Sequence, residues 1–248
     1  MKAFIRRIAL GLAGLVEHDR QGKILFYHDI FPSRQYTDMG TSLELFESHV
    51  RAIHKAGFTI VSHAPIEKDE VQICLDDGFR GVYDCASWFK SNGIFPTIFI
   101  APDLVGQQGY LSWPEILELQ TIGFVFQSHT WSHRPLTEVP TRELNHELFE
   151  SRCFIADKLG RDVESICFPC GLFSNHIVDV AHKSGYKDLI TSIPGAYRDV
   201  LPVPCAGAAK LRTRNLVQFL SAGEVVSVLK GGMRFFQRRY LNMHYKHD

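Results

Sequence analysis

The stretch "VQICLDDGFRG", residues 71–81, ends an apolar run on two adjacent aspartates and a glycine. Its β-branched and apolar residues predict a buried strand. Asp76 and Asp77 would then lie at the carboxyl end of that strand, where two like charges repel each other and both lose solvation. The pair therefore either closes an ordinary surface turn or holds something positive, and the rest of the chain decides between the two.

Similar apolar runs recur along the chain. Six more runs predict strands, at residues 23–30, 58–62, 97–101, 124–130, 165–170 and 188–192. Helical patterns separate most of them, at 42–56, 81–92, 113–122, 141–159 and 175–184, and Thr41 and Glu44 have the spacing of a capping box at the first helix. Near-continuous apolar strands that alternate with helices indicate an α/β protein with a parallel sheet buried on both faces. The pattern fits an open doubly wound sheet and a closed barrel equally, and in both folds the chemistry collects at the carboxyl ends of the strands.

The composition narrows the class of protein. The 248 residues are 45% hydrophobic, which is ample for a large core. Lysine plus arginine equals aspartate plus glutamate at 27 each, so we expect no nucleic-acid partner held by a basic surface. Six scattered cysteines favour a reducing compartment over a disulfide framework. We therefore expect a cytoplasmic location, with export left open.

The segment "SHTWSH", residues 128–133, places His129 and His133 four residues apart. Two imidazoles at this spacing can bind one ion, although a polar turn with a solvated histidine has the same pattern. Asp76 and Asp77 favour the metal site, because adjacent side chains at a strand end point in different directions. One carboxylate can complete a His-His-Asp site with an open coordination position, and the other can accept a proton from metal-bound water.

These motifs together resemble a known family. "LDDG", then "SHTWSH" about fifty residues later, and then "FPCG" resemble the polysaccharide deacetylases, the NodB-homology group of carbohydrate esterases. The resemblance runs from about residue 24 to 205. It implies a distorted (β/α)7 barrel of the NodB-homology type, with a catalytic domain over residues 23–220. It also implies a metal-dependent hydrolase that removes acetyl groups from N-acetylated sugars of a glycan.

The resemblance assigns roles to individual residues. Asp76 resembles the catalytic base of the family, and Asp77 resembles its metal-binding aspartate. His129 and His133 resemble the two metal-binding histidines. The implied cofactor is one divalent transition metal; zinc is the first choice for two imidazoles and a carboxylate, and iron, cobalt or nickel fit the same donors.

The "FPCG" segment matches the groove motif of the family with one departure. Cys170 stands where the family usually has a tyrosine, so an aromatic wall for the substrate is lost. The backbone N–H at this position helps to form the oxyanion hole in the family, and a backbone donor survives a side-chain change. We therefore predict that Cys170 and Pro169 bind substrate or the oxyanion.

The resemblance also suggests a catalytic acid. "ILFYHDI", residues 24–30, resembles the "YH" strand of the branch that acts on biofilm exopolysaccharides, in which this histidine takes the acid role. His28 matches it. The alternative is a satisfied histidine at a strand end. The late leucine-histidine motif of many members is not evident, and "LNMHY", residues 241–245, offers His244 as the substitute.

Three other functions remain open at this stage. The chain could be an O-acetyl esterase on sugars or a catalytically inactive carbohydrate-binding module. The "CFPC" segment also has the spacing of a redox pair, Cys167 and Cys170, but it lies deep in the chain and runs into Gly171, which does not favour a thioredoxin-like site.

The two ends of the chain carry separate predictions. In residues 1–22, basic residues precede a nine-residue apolar stretch, residues 8–16, which is too short to span a bilayer. We predict a retained amphipathic or anchoring helix there. Residues 221–248 mix basic and aromatic side chains and predict a surface helix or tail. Peripheral membrane contact through either end stays open.

Overall fold

The computed structural model describes residues 19–62, 64–197 and 210–246, which form an alternating series of strands and helices. The strands are β1 (Lys23–Tyr27), β2 (Asp29–Phe31), β3 (Gly40–Ser42), β4 (Thr59–Val61), β5 (Glu70–Leu75), β6 (Thr97–Ile100), β7 (Val125–Ser128), β8 (Ser165–Cys167), β9 (Asp188–Ile190), β10 (Lys210–Arg212) and β11 (Asn215–Leu216). The helices are α1 (Leu43–Lys55), α2 (Gly81–Asp84), α3 (Ala86–Asn92), α4 (Trp113–Thr121), α5 (Ser151–Leu159), α6 (Asn175–Lys183), α7 (Ala222–Leu229) and α8 (Gln237–His244). Short 3-10 turns and one π-turn (His146–Glu150) connect some of them.

Nine of the strands form one parallel sheet, as the apolar runs predict. The order across it is β10-β9-β8-β7-β6-β5-β1-β11, and β4 pairs with the first half of β5. Strands β2 and β3 form a separate pair. Helices separate most successive strands of the large sheet, which is the connection that parallel strands require.

A short segment closes this sheet into a barrel. Only Thr213 and Arg214 separate β10 from β11, yet the two strands pair with opposite edges of the sheet. Leu211 lies opposite Leu189 of β9, whereas Asn215 lies opposite Leu25 of β1. The barrel thus has seven strand positions: β1, β5, β6, β7, β8, β9 and the β10–β11 segment. The predicted (β/α)7 barrel is confirmed, and the open doubly wound sheet is wrong.

The core has two layers because side chains alternate along each strand. One cluster fills the interior of the barrel with side chains from different strands: Ile24, Phe26, Cys74, Phe99, Cys167 and Ile190. The larger cluster lies between the strands and the helices, and it includes the alternate residues Leu25, Tyr27, Ile73 and Leu75. Every residue of β1 is buried, which explains why its sequence is a nearly continuous apolar run.

The ends of helix α1 show which local signals were correct. Gly57, with a φ of +79°, follows the helix in the left-handed region, where glycine commonly ends a helix. The predicted cap at Thr41 is wrong: Ser42 is the N-cap, and its side chain accepts from the backbone N–H of Leu45. Thr41 is buried, and its hydroxyl donates to the carbonyl of Gln218 at 3.1 Å. The Thr41 side chain therefore forms a tertiary hydrogen bond instead of capping the helix, as the capping pattern had predicted.

The two ends of the chain differ in how much of them is described. The predicted helix over residues 1–22 lies outside the described residues except for 19–22, which are not helical. In the predicted segment 221–248, α7 buries Val225, Val228 and Leu229. Residue Tyr245, directly after α8, forms a parallel bridge with Phe173. Among the described helices, none is long and apolar enough to span a bilayer.

Candidate active site and metal centre

The site is built on the loop that follows β5. Asp77 and Gly78 both have left-handed backbone angles, with φ of +69° and +75°, a region that aspartate enters more readily than most residues. The backbone N–H of Asp76 donates to the carbonyl of Tyr27 on β1, and that of Gly78 donates to the carbonyl of Asp76. This turn sends the two buried carboxylates to different partners.

Asp77 meets both histidines of the "SHTWSH" segment. Its Oδ1 lies 3.2 Å from Nε2 of His129 and 2.9 Å from Nε2 of His133. Burial alone would raise the pKa of Asp77, but the two imidazoles outweigh it and hold that pKa well below its ordinary value. Three potential metal ligands that are distant in sequence thus converge on one point.

The donor atoms of this group fit a cation. Nδ1 of His129 lies 2.7 Å from the carbonyl oxygen of Cys167. A carbonyl only accepts, so Nδ1 donates to it and Nε2 is the ring atom that faces Asp77. Oδ1 of Asp77 is buried and has no hydrogen-bond donor among the described residues. A divalent metal would satisfy all three atoms, and ligands on a tetrahedral zinc ion lie about 3.3 Å apart.

A second group of potential ligands is less suited to an ion. Asp76, His129 and Cys167 also lie close together. Both oxygens of Asp76 are already bound by an arginine, as described below, and burial raises the pKa of the Cys167 thiol well above its ordinary value. A protonated thiol is a poor ligand, so Asp77, His129 and His133 are the better candidates for metal ligands.

A buried glutamate holds the loop between the two histidines. Glu147 comes from the π-turn before α5 and is 1% exposed. Its Oε2 accepts from the backbone N–H groups of Trp131 and Ser132, both at 3.0 Å, and its Oε1 accepts from the Ser132 hydroxyl at 2.6 Å. Burial raises the pKa of Glu147, but these donors outweigh it and lower that pKa overall. The ionised carboxylate therefore shapes the loop between the two candidate ligand histidines.

We expect Glu147→Gln to weaken metal binding by about 10- to 100-fold, the usual range for groups that orient metal ligands. An amide has one acceptor oxygen, so either the two N–H groups or the Ser132 hydroxyl lose their partner. The measurement is a metal titration against a competing chelator. Glu143→Gln is the matched control, because Arg134 donates both to Glu147, at 3.2 Å, and to Glu143, at 2.9 Å, and Glu143 lies at the surface. Equal metal affinity in Glu147→Gln and the wild type would contradict this role.

Asp76 is held by a buried arginine. Arg214 binds it with both nitrogens, Nη1 to Oδ1 and Nη2 to Oδ2, each at 2.6 Å. Burial raises the pKa of Asp76, but the charge of Arg214 outweighs it, so that this pKa lies below its ordinary value. Arg214 also donates from Nε to the carbonyl of Thr191 and stacks over the ring of Phe26 at 3.8 Å. Asp76 is therefore an ionised, oriented carboxylate at neutral pH.

We expect Arg214→Met to cost about 3–5 kcal/mol of unfolding free energy at pH 7, because it leaves the Asp76 charge buried without a partner. The native pKa of Asp76 is depressed in the wild type, so the pair contributes stability above the unfolded pKa, about 3.9, and loses it as the pH falls through the native pKa. In Arg214→Met, burial would instead raise the pKa of Asp76. The difference in unfolding free energy between Arg214→Met and the wild type should therefore become smaller as the pH falls and Asp76 becomes protonated.

Denaturant unfolding at pH 7 and pH 5 measures this effect. Arg212→Met is the control, since Arg212 lies two residues away and its partner Asp188 is 25% exposed; we expect a smaller loss there. The double variant Arg214→Met, Asp76→Leu should recover much of the stability. A deficit of less than 1 kcal/mol for Arg214→Met at pH 7 would mean that the pair does not stabilise the fold.

His28 follows β1 directly and has one defined partner. Its Nδ1 lies 2.6 Å from Oε1 of Gln218. The amide oxygen accepts, so Nδ1 carries the proton and Nε2 is left to exchange one with a substrate. The charge of His28 also contributes, after those of Arg214 and His129, to lowering the pKa of Asp76. His28 and Asp76 therefore lie within electrostatic reach of each other.

The "FPCG" segment forms a turn after β8. Pro169 is buried, whereas Cys170 is exposed and has a left-handed backbone with a φ of +56°. Burial raises the pKa of the Cys170 thiol, and the charge of Asp77 raises it further. Cys167 lies inside the barrel, so the two cysteines of the "CFPC" segment face different environments.

The C-terminal histidine also reaches this turn. A Cβ on Gly171 would lie 2.6 Å from Cβ of Ser192 and 2.9 Å from Cδ2 of His244. Nδ1 of His244 lies 2.8 Å from the carbonyl of Tyr240, and the backbone N–H of Phe173 donates to the carbonyl of His244. Both histidines considered as the acid, His28 and His244, therefore flank the site.

Sequence reasoning missed Arg214, Glu147 and Gln218. Each belongs to a segment without a motif of its own, although "KLRTRNL", residues 210–216, alternates in a way that would have predicted a strand. Cavity size would not have found the site either. A cavity of about 580 Å³ opens at the amino end of the barrel, where Gln72, Gln127 and Arg212 line it, and none of the predicted site residues does.

An Asp-His-His group and a second carboxylate at one edge of a parallel barrel are typical of metal-binding hydrolase sites. Comparison with known proteins gives the family. The model of the polysaccharide deacetylase family matches residues 63–189, slightly more than half of the chain. The chain belongs to the polysaccharide deacetylase family.

The most informative relatives agree with this assignment. The Bacillus subtilis (strain 168) protein named "Putative polysaccharide deacetylase YxkH" is 26% identical over 189 residues, which cover 70% of this chain and 65% of that protein. The Streptococcus pyogenes deacetylase PplD in complex with acetate has a TM-score of 0.71 at 18% identity, covering 84% of this chain and 98% of PplD. IcaB from Ammonifex degensii has a TM-score of 0.68 at 20% identity, covering 86% and 98%. The two structures show that the fold is shared.

Proposed function

We propose that this protein is a metal-dependent hydrolase that removes acetyl groups from N-acetylated sugars of a glycan. The observation that carries the proposal is the convergence of Asp77 Oδ1 with the Nε2 atoms of His129 and His133, beside a separately held Asp76, in a chain of this family. A structural metal site would be closed by four protein ligands, whereas three ligands leave a position for water or substrate.

The two aspartates have separate roles in this proposal. Asp77 holds the metal with the two histidines, and a bound divalent metal supplies Lewis acidity to the acetyl carbonyl and to water. Asp76 accepts the proton of the attacking water on a carboxylate oxygen. Arg214 keeps that carboxylate ionised and fixes its direction, which is the orientation that a general base needs.

Residues that follow other strands protonate the leaving amine and stabilise the negative charge that develops on the acetyl oxygen. An amine departs readily only when it is protonated, and Nε2 of His28 is the atom that we propose donates this proton. For this step His28 carries a proton on each ring nitrogen: Nδ1 donates to Oε1 of Gln218, and Nε2 holds the proton that the departing amine takes. The backbone N–H of Cys170 donates to the acetyl oxygen as negative charge develops on it, with Pro169 setting the turn.

Elemental analysis of protein purified without a metal-capturing tag tests the metal. We expect close to one equivalent of one transition metal, with zinc first and iron, cobalt or nickel also suited to these donors. Asp77→Asn, purified in parallel, is the matched control and should carry less. Less than about a tenth of an equivalent in the wild type, even after supplementation, would contradict the proposal.

Acetate release measured on N-acetyl and O-acetyl sugars tests the reaction. We expect release from N-acetylated glucosamine oligomers, with Asp76→Asn as the inactive control. Release from O-acetyl sugars alone would assign the protein as an esterase. Sugar binding without acetate release from any substrate would assign it as a carbohydrate-binding module.

A further inference from the structure

An aromatic pair lies beside the two aspartates. Phe79, two residues after Asp77, forms an antiparallel bridge with Tyr110. Their rings stack with centroids 4.6 Å apart and planes inclined by 22°. Phe79 is 8% exposed, whereas Tyr110 is only half-buried. Phe79 therefore covers one face of the Tyr110 ring, and the remaining exposure of that ring belongs to its other face and its hydroxyl edge.

The backbone keeps this pair rigid. The N–H of Leu111 donates to the carbonyl of Gly78, and the N–H of Arg80 donates to the carbonyl of Gly109, both at 2.9 Å. One hydrogen bond therefore lies on each side of Tyr110 and ties it to the loop that carries Asp77. A ring held in this way loses little conformational entropy when a ligand covers it.

The loop that carries Tyr110 spans the metal centre. This loop connects β6 to α4. Near its start, Asp103 contacts Trp131 of the "SHTWSH" segment. Oδ1 of Asp103 accepts from Nε1 of Trp131 at 2.8 Å, and the N–H of Asp103 donates to the Trp131 carbonyl. Burial raises the pKa of Tyr110, and the charge of Asp77 raises it further. Because its ring stacks on Phe79, two residues after Asp77, Tyr110 lies beside the loop that carries Asp77.

We propose that Tyr110, backed by Phe79, is the aromatic platform on which the sugar ring of the substrate stacks while its acetyl group reaches the metal centre. This inference rests on the proposed function. The apolar face of a pyranose presents C–H groups with partial positive charge, which match the negative face of an aromatic ring. The turn at Cys170 exposes no aromatic side chain, because Phe168 is buried, so Tyr110 supplies the aromatic wall.

The variants Tyr110→Ala and Tyr110→Phe separate the ring from its hydroxyl. On N-acetylglucosamine oligomers of one to five units, we expect Tyr110→Ala to raise KM about tenfold, which is about 1.4 kcal/mol, with kcat within threefold and the metal content unchanged. Tyr110→Phe should keep KM within threefold, because the face of the ring does the binding. The matched control is Tyr83→Ala, since Tyr83 donates to Glu118 on the surface and should have no effect.

A binding measurement keeps the outcomes distinct. Calorimetry with the same oligomers on metal-loaded Asp76→Asn, with and without Tyr110→Ala, reads binding without turnover. Wild-type-like KM and affinity in Tyr110→Ala would overturn the platform and leave the proposed function standing. Oligomer binding that depends on Tyr110, without acetate release by the wild type, would support the platform and overturn the deacetylase activity. Absence of both binding and acetate release would overturn both proposals.

Discussion

Asp76→Asn is expected to abolish acetate release while the protein keeps its metal, whereas Asp77→Asn is expected to lose the metal itself. The reason is the division of partners: Asp77 faces His129 and His133, and Asp76 faces Arg214. Loss of a general base lowers the rate by at least about 10²- to 10⁴-fold. Acetate release and elemental analysis on the same preparations measure both effects.

The unfolding of each variant must be measured beside its activity. Asp76→Asn leaves Arg214 buried opposite a neutral amide, so we expect a loss of stability of about 3–5 kcal/mol. The double variant Asp76→Asn, Arg214→Gln restores a neutral pair and should unfold closer to the wild type while staying inactive. Retention of metal by Asp77→Asn together with its loss from Asp76→Asn would reverse the two assignments.

His28→Ala is expected to lower kcat on an N-acetyl sugar by about 10²- to 10⁴-fold, the range for one acid–base group, without loss of metal. The amine leaving group needs a proton as the C–N bond breaks, and we propose Nε2 of His28, whose ring Gln218 orients through Nδ1, as its donor. The loss should be smaller on an activated acetate ester, whose leaving group departs without a proton. Steady-state kinetics on both substrates measure the difference.

Two further variants identify the acid among the residues that flank the site. Gln218→Leu removes the acceptor that fixes the His28 tautomer, and we expect a smaller loss in kcat than in His28→Ala. His244→Ala should leave kcat on the amide close to that of the wild type. A near-wild-type rate for His28→Ala with a large loss for His244→Ala would move the acid role to the C-terminal helix.

Much of the metal centre was predictable because its signals are local. Asp77 follows an apolar strand, and His129 and His133 follow another at a spacing that a single ion can bridge. Parallel strands bring their carboxyl ends to one edge of the barrel, so these residues could be expected to meet. The turn of Asp77 into left-handed geometry also agrees with the glycine that follows it.

The groups that hold these residues in place were not predictable in the same way. Gln218 is 190 residues from His28 in sequence, and Glu147 is reached through a π-turn that no pattern had indicated. The capping pattern at Thr41 even pointed to the wrong residue, because the hydroxyl of Thr41 binds the carbonyl of Gln218 instead. Local propensity does not predict a hydrogen-bond partner that is distant in sequence.

The sequence by itself determined the alternation of buried strands and helices, the ends of several helices and the three candidate metal ligands, since each depends on burial and hydrogen bonding within a few residues. Only the tertiary structure decided that the sheet closes, because closure depends on residues 210–216 pairing with both edges at once. That closure brings Arg214 to Asp76 across 138 residues of sequence. The charge state of Asp76 is therefore set by which strands meet, a property that hydrophobic periodicity does not encode.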